Sequence, residues 1–247
     1  MPETTEIGRG TEHTVEQKYV AFCDILGFSN SVVTEFDQTL SLYISLAQYI
    51  TTWEYSDQVN VTMYSDSILI TSSELPPLLG AVQLLWFYCL QNNFMLRGGI
   101  AFGKYWEDRR DTHLLMVSDA LINAVKLEKM VGVPAVVISD DIVIPENYWF
   151  ERFQNGPYAS SLLHFRDRNI VNPFNPAWGT SAAMRARLLM EKSPTHSNKY
   201  LWFLALYDAL KAGNILIPEA TYQSFIDRGI LAFVPSESQP ETRQSNK

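Results

Sequence analysis

Cysteine is nearly missing from this chain: Cys23 and Cys89 are the only two in 247 residues. Each sits inside an apolar run, Ala21-Phe22-Cys23 and Trp86-Phe87-Tyr88-Cys89-Leu90, as buried free thiols in a reducing compartment do, which argues against a disulfide-stapled scaffold. Histidine is scarce as well. His13, His113, His164 and His196 lie far apart, without the close spacing of a zinc site, so any metal is expected on oxygen ligands. Basic charge is thin: 19 Lys and Arg stand against 27 Asp and Glu, a formal net charge of −8, with no long Lys/Arg run. That argues against a grip along a nucleic acid polymer and confines any phosphate ligand to a local site. No apolar run reaches the roughly 18 residues of a membrane span. The start Met1-Pro2-Glu3-Thr4-Thr5-Glu6 is acidic and polar, unlike a secretory signal. The expectation is a soluble cytoplasmic protein with no membrane partner.

What the chain does have is apolar mass, 47% of its residues, enough for a sizeable core without staples. Residues 1 to 17 are polar and aperiodic and read as a flexible tail. Tyr19-Val20-Ala21-Phe22-Cys23 is a short buried strand closed by Gly27. Residues 29 to 53 carry Val32, Val33, Phe36, Leu40, Tyr43, Ile44, Ala47 and Ile50 at helical spacing. Val59, Val61 and Met63 alternate, and Ile68-Leu69-Ile70 resumes the pattern, so a hairpin turning at Ser65-Asp66 is predicted. A helix from about Pro76 to Leu90 follows, then a strand from Met95 to Trp106 containing Gly98, Gly99 and Gly103. A helix over Ser118 to Met130 and a strand over Ala135 to Ile138 complete a βαββαβαβ order.

That order predicts an α+β, ferredoxin-like or palm-type domain with its helices on one face, over residues 18 to 145. A C-terminal strand-plus-helix extension is expected over 146 to 235. It would hold a strand pair around Leu162 to Ile170, a Pro/Asn-rich loop over 172 to 176, and helices near Thr180 to Met190 and Asn198 to Ala212. The aromatic run from Tyr200 to Tyr207 reads as core or dimer packing. The Ser/Gln/Pro-rich end, 236 to 247, is expected to be disordered.

Chemistry is suggested by two acids. Asp24 ends the first buried strand, where a carboxylate is costly to bury without a partner. The Gly27 turn that follows aims helix-start N–H groups beside it, which suits phosphate. Asp66 stands at the tip of the hairpin. Two carboxylates meeting at one strand end make a site for hard cations such as Mg²⁺ or Mn²⁺, although either acid can also serve its own turn. Arg97 opens the Gly-rich strand, and a guanidinium there needs an anion, either substrate or a structural carboxylate.

These segments resemble the catalytic domain of class III adenylate and guanylate cyclases. The family's Phe-x-Asp-Ile-x-Gly-Phe-(Ser/Thr) pattern is matched by Phe22-Cys23-Asp24-Ile25-Leu26-Gly27-Phe28-Ser29, its Gly-Asp hairpin by Ser65-Asp66, and its Arg-x-Gly-Ile-x-x-Gly strand by Arg97 to Gly103. The resemblance implies two Mg²⁺ or Mn²⁺ ions held by Asp24, Asp66 and the Ile25 carbonyl. It further implies phosphates on the turn from Leu26 to Asn30, with Gly27, Phe28 and Ser29, and a homodimer whose active sites lie at the subunit interface.

The helix Ser118 to Glu128 departs from the family. Aligned on Ala124 and Leu127, the family's ribose-orienting Asn falls on Ile122 and its transition-state Arg on Lys126; Asn123 is one place off. Lys126 is either a phosphate-neutralising point charge without the bidentate fork of Arg or an ordinary exposed lysine. The purine-reading positions are Thr62 and Leu115, which match neither adenylate nor guanylate cyclases. Thr62 and Tyr64 could shape a smaller base pocket. A pocket without purine readers resembles the pyrimidine cyclases of bacterial anti-phage defence, the Pycsar type, whose cyclic product signals to a separately encoded effector. Uridylate is preferred over cytidylate. The rivals are a catalytically degenerate nucleotide- or protein-binding module and, third, a polymerase-palm or diguanylate-cyclase relative, for which Tyr64-Ser65-Asp66-Ser67 lacks the expected Gly-Gly-(Asp/Glu)-Glu-Phe hairpin.

Overall fold

The computed structural model describes residues 14–54, 56–155, 160–175, 177–192 and 194–230. The chain divides into two compact units, Met1–Leu216 and Ile217–Lys247. The second holds one described helix, α8 (Glu219–Asp227); all other elements belong to the first. The expected disordered end lies outside the described residues, as do residues 1–13 of the expected tail.

The first unit opens with β1 (Glu16–Leu26), α1 (Phe28–Thr34), α2 (Phe36–Ile50), β2 (Asn60–Tyr64), β3 (Ser67–Ser72), α3 (Leu75–Gln91) and β4 (Met95–Arg110). These strands lie in the order β2-β3-β1-β4 with every neighbour antiparallel. That is two interleaved split βαβ units, the ferredoxin-like arrangement expected from the sequence. The chain continues through β5 (His113–Ser118), α4 (Asp119–Val131), β6 (Val136–Ile138), α5 (Glu146–Asn155), β7 (Leu162–His164), β8 (Asn169–Val171), α6 (Gly179–Lys192), a short 3-10 turn and α7 (Ser197–Lys211). β6 joins β4 in parallel, and β8 and β7 carry the same sheet onward, so strands beyond residue 145 continue it. The result is an α+β fold around an eight-stranded sheet.

Register divides the residues between two faces. Directly paired residues share a face, so Val20, Phe22 and Asp24 of β1, Ser67 and Leu69 of β3, Thr62 and Tyr64 of β2, and Arg97, Gly99 and Ala101 of β4 all point one way. Cys23 points the other way, towards Cys89 of α3. α2 lies beside α3 on that side: Tyr88 Oη donates to the Leu42 carbonyl at 2.7 Å and stacks on Tyr49. α3 buries Leu78, Val82, Leu85, Trp86 and Cys89, a 3.6-residue stripe. Trp86 in turn meets Phe203 of α7, so the aromatic run of α7 is core.

Four features differ from expectation. The helix predicted over 29–53 is two helices, broken at Glu35 (φ −143°, ψ 56°) after the β-branched run Val32-Val33-Thr34, whose helix propensity is low. β4 runs on to Arg110 and returns as β5, a hairpin hidden in the sequence because apolar Leu114, Leu115, Met116 and Val117 do not alternate with polar residues. α5 and α8 are additional helices. Finally, the helices do not share one face: α4 covers the face opposite α3, with Ala120 and Ala124 packed on Val20, Leu69, Ala101 and Tyr105.

Candidate active site

The candidate site forms where β1 ends. Ile25 donates its N–H to the Asp66 carbonyl at 2.9 Å, which ties the tip of the β2–β3 hairpin to β1. Ser65 turns that tip with a left-handed backbone (φ +54°), at the position where the resembled family carries Gly. Gly27 then takes φ +89° and starts α1, its carbonyl accepting the N–H of Ser31 at 3.2 Å. Phe28 anchors the turn in apolar surroundings, its ring 5.6 Å from Tyr43 and 6.1 Å from Phe94. Ser29, the exposed residue after it, donates its hydroxyl to the Asp66 carboxylate. The turn, the hairpin tip and both acids are therefore one structure.

Electrostatics sharpen the picture. Burial, first of all, pushes the Asp24 carboxyl above the ordinary carboxylate range; Arg97 pulls it back, and Asp66 and Glu128 push it further up. A half-buried carboxylate with acidic neighbours calls for a cation. One is already present: Arg97 Nη2 lies 3.1 Å from Asp24 Oδ2 and also contacts Glu128 Oε1. The anion sought for Arg97 is thus, within one chain, a pair of carboxylates. Glu128, only 5% exposed, was missed from the sequence, although it breaks the apolar stripe Ala120, Ala124, Val131 on the buried side of α4. A charged residue in a buried stripe was the available signal.

A divalent cation suits this donor set. Among the described residues no three His, Cys, Asp or Glu side chains converge, so the side-chain donors are the two Asp carboxylates, both hard oxygen ligands. The Ile25 carbonyl, phosphate oxygens and water could complete the shell. Carboxylate and carbonyl oxygens are the donors that Mg²⁺ and Mn²⁺ prefer.

The remaining predicted residues separate into two groups. Tyr64, Ser67, Asp24 and Arg97 form one cross-strand row and Thr62, Leu69, Phe22 and Gly99 the next. Tyr64, 82% exposed, is therefore two strands, roughly 10 Å, from Asp24 along the sheet. Thr62 accepts a hydrogen bond from Arg109 Nη2 at 3.1 Å, because the β4–β5 arm bends back over this face. Arg109 also approaches Glu107, which accepts from Tyr105 Oη at 2.7 Å. This polar chain was not foreseen, since the predicted strand stops at Trp106 and β4 carries Glu107 and Arg109 beyond it.

Leu115, Ile122 and Lys126 do not join the acids. α4 buries Ala120, Ala124 and Glu128 at four-residue spacing, so Ile122 and Lys126, two residues out of phase, face away from the sheet. Leu115 sits on the outer side of β5, with the partly buried Met116 turned inward. All three are exposed, on the outside of the unit.

No protein-family model and no curated protein sequence matches this chain. Solved structures do. The adenylyl cyclase CyaB from P. aeruginosa is 16% identical, aligned over 53% of this chain and 80% of its own, with a TM-score of 0.41. The monomeric guanylyl cyclase domain of the RhoGC fusion protein from the aquatic fungus Blastocladiella emersonii is 16% identical over 65% of this chain and 96% of its own, with a TM-score of 0.44. The catalytic core of a rhodopsin-guanylyl cyclase with converted specificity, in complex with ATPαS, is 15% identical over 65% and 98%, with a TM-score of 0.43. At such identities the likeness is one of fold alone.

Proposed function

We infer that this chain is a metal-dependent nucleotidyl cyclase that converts a pyrimidine nucleoside triphosphate, UTP before CTP, to a 3′,5′-cyclic mononucleotide and pyrophosphate. The observation that carries the reading is that Asp24, Asp66 and the Gly27 turn share one strand end, with Ser29 bonded to Asp66 and Ile25 to the Asp66 carbonyl. Divalent cations bound there would make the ribose 3′-hydroxyl more acidic and offset the charge of the triphosphate. The nucleotide's 3′-oxygen forms the new bond to the α-phosphorus in line with the α–β bridging oxygen, whose bond breaks as pyrophosphate departs. The hydroxyl proton goes to solvent. The chain's part is to hold the tail on the turn from Leu26 to Asn30 and to set the reacting groups in line.

Thr62, held by Arg109, and Tyr64 lie on the face of Asp24; in this reading they would shape the smaller base pocket. No acid or lysine stands at the Thr62 or Leu115 positions to read a purine. The outward exposure of Leu115, Ile122 and Lys126 supports a homodimer in which α4 and β5 of one subunit close the site of the other. The role that fits is synthesis of a second messenger in anti-phage defence, read by a separate effector. A second reading, a degenerate binding module, is favoured by Ile122 and Lys126 in place of the family's Asn and Arg.

The test is incubation of the purified protein with Mn²⁺ and each of the four nucleoside triphosphates separately. Cyclic UMP with equimolar pyrophosphate is expected. Asp24→Asn or Asp66→Asn should cut turnover by about 100-fold or more; Asp66→Asn should leave the melting temperature near that of the wild type, whereas Asp24→Asn should lower it by removing a partner of Arg97. Cyclic AMP as the main product would overturn the pyrimidine assignment, and no product from any nucleotide would favour the binding module.

A further inference from the structure

A second cavity, of about 560 Å³, lies behind the Gly27 turn. Its floor is the turn itself with the starts of α1 and β4, and its far wall is the corner between α6 and α7. That corner belongs to the C-terminal extension and supplies Lys192, His196, Lys199 and Tyr200; the near side supplies Asn30, Ser31 and Asn93. Among the described residues no Asp or Glu lines it. In a chain of net charge −8, a concave wall with two ammonium groups, an imidazole and no acid is the reverse of the average surface. Among the described residues none of these three groups has a carboxylate partner.

Lys192 and His196 are exposed, and of the three cationic or imidazole groups Lys199 is the one whose helix position is unfavourable on its own. Lys192 ends α6, where the helix dipole welcomes a cation, but Lys199 stands in the first turn of α7, where the dipole opposes one. Asn93 is held in a left-handed backbone (φ +62°), and Arg185 Nη1 donates to its Oδ1 at 2.8 Å. That leaves the Asn93 amide nitrogen as a donor. The wall therefore presents donors and positive charge, which in a concave site focus the field on an anion. The volume suits a phosphorylated small molecule rather than a lone ion.

We propose that this cavity binds a polyphosphate anion through Lys192, His196 and Lys199, with Asn93, Asn30 and Tyr200 as neutral hydrogen-bonding partners. The site shares the Gly27 turn with the proposed active site but uses none of Asp24, Asp66 and Arg97, so its binding is read separately from turnover. Its ligand is either the phosphate tail of a nucleotide lying on the shared Gly27 turn or a separate polyphosphate compound.

The experiment is calorimetric titration of the full chain with inorganic pyrophosphate and tripolyphosphate, with EDTA present and at roughly physiological salt, where surface charges are screened beyond about 8 Å. Lys192→Gln with Lys199→Gln is expected to weaken binding at least tenfold. Asp24→Asn with Asp66→Asn should leave it within twofold, which separates failure of this site from failure of the cyclase reading. Lys104→Gln with Lys129→Gln, at two exposed lysines elsewhere, should also leave it within twofold. Competition between a non-hydrolysable nucleoside triphosphate and tripolyphosphate would identify the ligand as the nucleotide's own tail; simultaneous binding would identify a separate compound. Absence of saturable binding, equal affinity in the Lys192/Lys199 variant, or an equal loss in the Lys104/Lys129 variant overturns the proposal.

Discussion

Arg97 is bound on both sides, by Asp24 at 3.1 Å and by Glu128, and its environment is mostly protein. A buried pair is a weak source of stability as a whole, but half of one is expensive, because the partner's charge stays behind. Glu128→Gln is therefore expected to cost about 3 kcal/mol in urea unfolding, and Arg97→Met with Glu128→Leu and Asp24→Asn, which strands no charge, to recover most of it; equal losses in both would show that the cluster is not the cause. Cys89 gives a pH effect. Burial pushes its thiol up to about 12 from 9.0, so above pH 9 the unfolded chain releases a proton that the folded chain keeps. Stability should fall between pH 9 and about 12, by up to ~1.4 kcal/mol per pH unit, and be unaffected by this group below pH 9. Comparing wild type with Cys89→Ala across that window isolates the effect. Asp24, Asp66 and Arg97 were legible as residues because strand ends and turns announce themselves. Glu128 was not, since its partner lies 31 positions away on another element.

At the scale of elements, α4 approaches β4 through glycines. A Cβ on Gly99 would collide with the Ala124 carbonyl oxygen and the Leu127 side chain, and one on Gly103 with the Asp119 carboxylate. Gly99→Ala is expected to destabilise by about 1–3 kcal/mol through overpacking, read from thermal unfolding; an unchanged melting temperature would mean that α4 can shift outward at little cost. The sequence marks these glycines as places of close approach without saying what approaches. The break between α1 and α2 and the β4–β5 return were also illegible, because neither carries a proline or an alternating pattern. Arg109 reaches Thr62 only because that return bends back across the sheet.

At the scale of the molecule, apolar side chains remain on the outside: Val117 is 70% exposed, Ile122 56% and Leu115 49%. Ile122 stands on the outer side of α4 with Lys126, and Leu115 and Val117 on the side of β5 turned away from α4. Sedimentation is expected to show a dimer, and Ile122→Glu to give a folded monomer without turnover. An active monomer would remove the dimeric arrangement from the proposed function.

The sequence by itself determined the ferredoxin-like strand order, the burial of both thiols, the two acids and the turn that follows Asp24, because each depends on local periodicity, turn chemistry or the cost of burying charge. Only the tertiary structure decided that α4 takes the opposite face of the sheet, that Arg97 rests on Glu128, that Lys126 faces outward, and that Lys192, His196 and Lys199 stand behind the Gly27 turn. Those are meetings of residues distant in the chain, set by sheet register and helix packing, which no stretch of sequence encodes alone.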